Sequence, residues 1–75
     1  MPRAFVMIDI HPGKEVEVQK AVQGLDKVKF VYQVTGANDM VAFVDADPYE
    51  TFATLISTIR RLEGVKDTDT MLVLK

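Results

Sequence analysis

Apolar residues recur along this chain with two periods, and the switches between them mark out six elements. In residues 3–10, Phe5 and Met7 fall on one side of an extended segment and Val6, Ile8 and Ile10 on the other, which predicts a strand apolar on both faces. His11-Pro12-Gly13 breaks it. From Lys14 to Leu25 the spacing becomes three and four. Val18, Ala21, Val22 and Leu25 form one stripe, and Lys14, Glu15, Glu17, Gln19, Lys20 and Gln23 lie off it, which predicts an amphipathic helix. Residues 28–35 and 40–45 predict a second and a third strand. Asp47, Pro48 and Glu50 then read as a helix start: Asp47 as N-cap, Pro48 at the first helical position, Glu50 three residues after the cap. Phe52, Leu55, Ile56, Ile59 and Leu62 continue at helical steps, and Gly64 is expected to end the helix as a left-handed cap. Residues 65–74 predict a fourth strand.

The order β-α-β-β-α-β defines an α+β fold class, a ferredoxin-like βαββαβ sandwich. It implies a four-stranded antiparallel sheet with two helices on one face, built as a single domain over residues 1–75. Within it the third strand is expected to run antiparallel to the fourth. The loop between strands two and three would then lie at the opposite end of the sheet from the start of strand four.

Two helices cover one sheet face, yet the strands are apolar on both faces: Phe5, Val6, Met7 and Ile8; Phe30, Val31 and Tyr32; Met40, Val41, Ala42, Phe43 and Val44; Met71, Leu72, Val73 and Leu74. An antiparallel sheet with one wet face should alternate apolar and polar positions. A large exposed apolar face is unusual in a soluble monomer. Sheet-to-sheet packing with a second copy is the economical solution, and a homo-oligomer built on such a dimer is expected.

Composition narrows the function. The chain has 75 residues, nine basic against eleven acidic, and no cysteine. Disulfides, thiolate metal sites and cysteine nucleophiles are thereby excluded. The formal charge of −2 and the dispersed basic residues argue against direct nucleic-acid binding. Arg60 and Arg61 form the one adjacent basic pair, and a helix C-terminus accounts for them. No apolar run approaches the roughly 20 residues that span a bilayer, and no signal-peptide pattern is visible, so a cytoplasmic location without membrane contact is expected.

The segment Val34-Thr35-Gly36-Ala37-Asn38-Asp39 carries the most suggestive chemistry. Gly, Asn and Asp tolerate the positive φ of a tight reversal, so a hairpin turn is one reading. The same loop tip places a carboxylate beside free backbone N–H groups, which suits a small zwitterion.

Three features together resemble the ligand-binding (RAM) domain of the Lrp/AsnC family. They are Pro12-Gly13 opening the first helix, Val34-Thr35-Gly36-Ala37-Asn38-Asp39 between strands two and three, and Leu62-Glu63-Gly64-Val65-Lys66-Asp67-Thr68-Asp69-Thr70 leading into strand four. The resemblance implies a sheet-paired dimer, often a ring of dimers, and amino-acid effectors bound between subunits in transcription regulation. By position it assigns Gly36, Asn38 and Asp39 to the effector loop and Thr68 and Thr70 to the polar start of the last strand. Most members carry an N-terminal helix-turn-helix domain. Here the first residues already read as a strand, so a stand-alone sensing domain is expected, acting through a full-length DNA-binding relative. Ala37 stands where the family commonly has a polar residue, and the choice of effector is not carried over.

Each candidate also has a plainer role. Asp39 could be a turn carboxylate, Asn38 a left-handed turn residue, and Gly36 a backbone requirement. Thr68 and Thr70 share one face of a strand and could be ordinary β-branched residues. Tyr32 could close a pocket or pack in an interface. Asp9, His11 and Tyr32 are the residues that a small dimeric α+β barrel enzyme of oxygenase or isomerase type would need. Asp9 and His11 sit at a strand end, so no catalytic residue is assigned and no enzyme is expected. A ligand-free oligomerisation module is the remaining alternative. No cofactor or metal is expected. Asp39→Ala is expected to spare the fold, since a loop carboxylate adds little to a sheet core.

Overall fold

The computed structural model describes residues 2–75. Its elements are β1 (Arg3–Ile10), α1 (Glu15–Gln23), β2 (Val28–Gln33), β3 (Met40–Asp45), α2 (Tyr49–Arg60) and β4 (Val65–Leu72). The strands form one antiparallel sheet in the order β2-β3-β1-β4. This is the ferredoxin-like α+β fold that the hydrophobic pattern predicts.

Alternation along the strands decides which face meets the helices. Ala4, Val6, Ile8 and Ile10 of β1 are buried, as are Val31 of β2 and Met40, Ala42 and Val44 of β3. Val18 and Val22 of α1 and Phe52, Leu55 and Ile59 of α2 close over them. Each Val, Leu, Ile, Met and Phe of this layer contributes about 1.5–3 kcal/mol on full burial, and the layer holds the small fold together. Ala21, placed on the α1 stripe from its spacing, is exposed. Strand β2 ends at Gln33 and β4 at Leu72, each two residues short of the expected limit.

Strand direction corrects one expectation. Strand β1 lies between β3 and β4 and pairs antiparallel with both, with Ile8 opposite Met40 on one side and Thr68 on the other. Two strands that are each antiparallel to a shared neighbour run in the same direction. The β2–β3 loop and the start of β4 therefore lie at the same end of the sheet, on either side of the end of β1.

Both glycine and cap assignments around α2 shift. Pro48 stands at the N-cap and Tyr49 is the first helical residue, so Asp47 is not the cap. At the other end Arg61 is the C-cap, with right-handed geometry. Gly64 does take a positive φ of 96°, but it serves the turn into β4. Its carbonyl accepts from the His11 N–H at 2.9 Å. A Cβ there would lie 2.8 Å from Val18 Cγ2 and 2.9 Å from Lys14 Cβ, so this turn packs directly on α1.

The opposite sheet face carries a connected aromatic row. Ring centroids are 5.0 Å apart for Phe5 and Phe43, 5.5 Å for Phe30 and Phe43, and 5.2 Å for Phe30 and Tyr32. Neither α1 nor α2 covers them. Phe5 is 40% exposed, Met71 47% and Tyr32 60%.

Candidate functional site

The loop between β2 and β3 is held at both ends by backbone bonds. Val34 N–H donates to the Asp39 carbonyl at 2.9 Å, and Asp39 N–H donates to the Ile8 carbonyl at 3.1 Å. Gly36 turns the chain with φ 112° and has no atom within 4 Å of where a Cβ would stand. Asn38 and Asp39 do not adopt positive φ, so the reversal rests on Gly36 alone.

Two side chains tie this loop to the end of β1. Asp39 Oδ2 accepts from the Ile10 N–H at 2.8 Å. Asn38 Nδ2 donates to Asp9 Oδ1 at 3.0 Å. The Asp39 carboxylate thus has a structural partner 29 residues away, not a local turn bond. Its second oxygen has no hydrogen bond among the described residues, and the residue is exposed. No described residue accepts from the backbone N–H of Gly36 or Ala37. A fixed carboxylate oxygen and free N–H groups on an uncrowded backbone can receive a small zwitterion, ammonium on the one and carboxylate on the other.

The six sequence-assigned residues fall in three places. Gly36, Asn38 and Asp39 come together at the loop. Tyr32 lies on the open sheet face, stacked on Phe30. Thr68 and Thr70 pair with Ile8 and Val6, two residues of the buried face, so they point toward the helices. Thr70 joins Ser57, Arg60, Phe52 and Leu72 around a groove of about 350 Å³ between α2 and β4. Thr68 and Asp39 flank the same stretch of β1, two strand spacings or about 10 Å apart, with Thr68 on the helix side.

Asp9 was legible only as a weak acid–base or metal candidate beside His11. Its actual partner, Asn38, is invisible without the strand pairing. His11 is exposed in the β1–α1 loop. Asp9, His11 and Tyr32 line none of the three described grooves. Among the described residues there is no cluster of metal-ligating side chains. No described helix is long and apolar enough to cross a membrane.

Residues 3–75 match the family model of the Lrp/AsnC ligand binding domain. The HTH-type transcriptional regulator FL11 of Pyrococcus abyssi is 33% identical over 72 residues, which is 96% of this chain and 48% of the regulator. The chain therefore spans about half the length of that relative. A crystal structure from Thermus thermophilus superposes with a TM-score of 0.92 at 34% identity, covering 100% of this chain and 95% of that one. A transcriptional regulator from Neisseria meningitidis, in complex with L-Met, shares the fold at a TM-score of 0.83 and 23% identity, covering 99% of this chain and 50% of that one.

Proposed function

The chain belongs to the Lrp/AsnC ligand-binding domain family, and we propose that it is a regulatory module that senses a free amino acid at a site completed by a second copy of the chain. One observation carries the reading: the Gly36–Asp39 loop is fixed to β1 and still leaves a carboxylate oxygen and two backbone N–H groups open. The effector's ammonium group sits on Asp39 and its carboxylate on the Gly36 and Ala37 N–H groups. The side chain of the effector is left for other residues to read.

Those residues come from a neighbouring copy. In one protomer Thr68 and Thr70 face the helices, away from Tyr32, so the three places do not converge on a single ligand. The aromatic row on the uncovered sheet face supplies the surface on which two copies pair. A dimer of this kind, or a ring of dimers, brings loops and strand edges of different subunits together. The same face lets the chain co-assemble with a longer DNA-binding relative. Its named relative is a transcriptional regulator, which favours regulation over catalysis. The L-Met complex of a regulator of this fold makes free amino acids the ligand class to screen. The reading places the protein in the cytoplasm, where such effectors are met.

A thermal-shift screen against the common amino acids, with particle size measured in parallel, tests the proposal. A ligand that binds only the assembled state stabilises it, so an effector should raise the melting temperature and favour the larger species. An intact oligomer that responds to no amino acid would leave the ligand-free oligomerisation reading in its place.

A further inference from the structure

We infer that Asp9 is a positioning residue for the effector loop: its carboxylate holds Asn38, and through Asn38 it sets the loop conformation that binds the ligand. The inference rests on reading residues 34–39 as the effector-contact segment. It assigns Asn38 to the tether and leaves ligand contact to Asp39 and the backbone.

Geometry makes the case. Asn38 Nδ2 lies 3.0 Å from Asp9 Oδ1, and Asp39 Oδ2 lies 2.8 Å from the next backbone N–H, that of Ile10. Two neighbouring loop residues thus grip two neighbouring residues of β1. Asp39 is held a second time through its own N–H on the Ile8 carbonyl, so the Asn38–Asp9 bond is the hold that reaches into the loop ahead of Asp39. Ile10 cannot be lost as a partner, because its contribution is backbone. Asp9 is the replaceable half of the clamp.

The placement of Asp9 is otherwise unfavourable. It sits directly opposite Asp67 on β4, with Asp69 one pair further along the same face. Like charges facing each other across two strands destabilise the pair. Both ionised carboxylates only accept hydrogen bonds, so Asp67, whose Oδ1 accepts from the Thr68 N–H at 2.9 Å, offers Asp9 no bond. An alanine at position 9 would relieve the repulsion. The carboxylate is therefore a local cost to the sheet and a gain only to the loop. The strand pairing also slips between Asp9 and Ile10, at the point where both loop residues are held.

The test separates the loop from the sheet and from ligand binding. Amide hydrogen exchange is measured on the wild type, Asp9→Ala, Asp9→Asn, Asn38→Ala and the double alanine variant, without ligand. The amides of Val34, Asp39 and Ile10, which are hydrogen-bonded where the loop is held, should exchange about fivefold faster than in the wild type, relative to their intrinsic rates, in Asp9→Ala, the factor for one hydrogen bond of about 1 kcal/mol. Amides at the centre of β1 and β3 should not. Asn38→Ala should match it, the double variant should add nothing further, and Asp9→Asn, which keeps an acceptor oxygen for Asn38, should behave as wild type. The melting-temperature response to the common amino acids, measured on the same proteins, should weaken in parallel. Unchanged loop exchange in Asp9→Ala overturns the inference, as does Asp9→Asn behaving like alanine. Faster loop exchange with an unaltered amino-acid response also overturns it. If the wild type responds to no amino acid, the proposed sensing function fails, and the exchange data alone then decide whether the tether exists.

Discussion

Replacing Phe5 by lysine places a charge in the middle of the uncovered sheet face and separates the fold from the assembly. Phe5 lies on the interior strand β1, 40% exposed, with its ring centroid 5.0 Å from that of Phe43. In a single protomer the substitution removes one aromatic pair, about 0.5–1.5 kcal/mol. The lysine stem can lie along the face with its ammonium in water, so the protomer still folds. In a dimer paired through this face the change occurs twice. Each unpaired ammonium brought into the interface costs at least about 2 kcal/mol, so two cost about 4 kcal/mol. That raises the dissociation constant about a thousandfold. Light scattering after gel filtration, from low to high micromolar protein, reads the outcome. The wild type should run as a dimer or larger, and Phe5→Lys as a monomer of 8.4 kDa with a retained circular-dichroism spectrum. Val16→Lys is the control: Val16 is 60% exposed on α1, away from the sheet, and its replacement should leave the size unchanged. A monomeric wild type, or a Phe5→Lys variant of wild-type size, would refute the reasoning.

Four further outcomes rest on the same structure and sequence. Gly64→Ala should lose about 2–5 kcal/mol in chemical denaturation, because the positive φ adds about 1–2 kcal/mol of strain and the contacts on Val18 and Lys14 add about 1–3 kcal/mol. Gly36→Ala has the same kind of φ but open space, so it should lose only about 1–2 kcal/mol in the same assay. Ile59→Ala, at a fully buried position of α2, should lose about 2–5 kcal/mol, read by thermal melting with size held fixed. The 75-residue chain on its own, with formal charge −2, should show no sequence-selective DNA binding in gel-shift titrations at physiological salt.

The element order was legible because period carries it. Strands β1 and β3 fall on the limits that alternation predicts, and Val18, Val22, Phe52, Leu55 and Ile59 are the helix residues that meet the sheet. The two-faced strands likewise announced a second apolar surface, and the aromatic row is there. What alternation cannot give is which strand lies beside which. The place of β1 between β3 and β4 decides that the β2–β3 loop and the start of β4 share one end of the sheet. It also decides that Thr68 and Thr70 face the helices. Asp39 shows the same limit at one residue. Its type and its loop suggested ligand contact, and nothing local revealed that Ile10 N–H binds it across 29 positions. For that reason Asp39→Ala is not the clean variant that the loop alone suggested: it removes the charge proposed to meet the ligand and a structural acceptor together. Gly64 was read correctly as a positive-φ position, but α2 ends at Arg60 with Arg61 as its C-cap, so the helix-cap role assigned to Gly64 was wrong, and its close approach to Val18 and Lys14 depends on packing that spacing does not show.

The central claim is that the Gly36–Asp39 loop binds a free amino acid through the Asp39 charge. The most direct measurement is the melting-temperature shift produced by each common amino acid in the wild type and in Asp39→Asn. Asparagine keeps an oxygen for the Ile10 N–H and removes the negative charge, so the two proteins should melt together without ligand. At least one amino acid should stabilise the wild type, and the shift should disappear in Asp39→Asn. A shift of equal size in both proteins would contradict the claim.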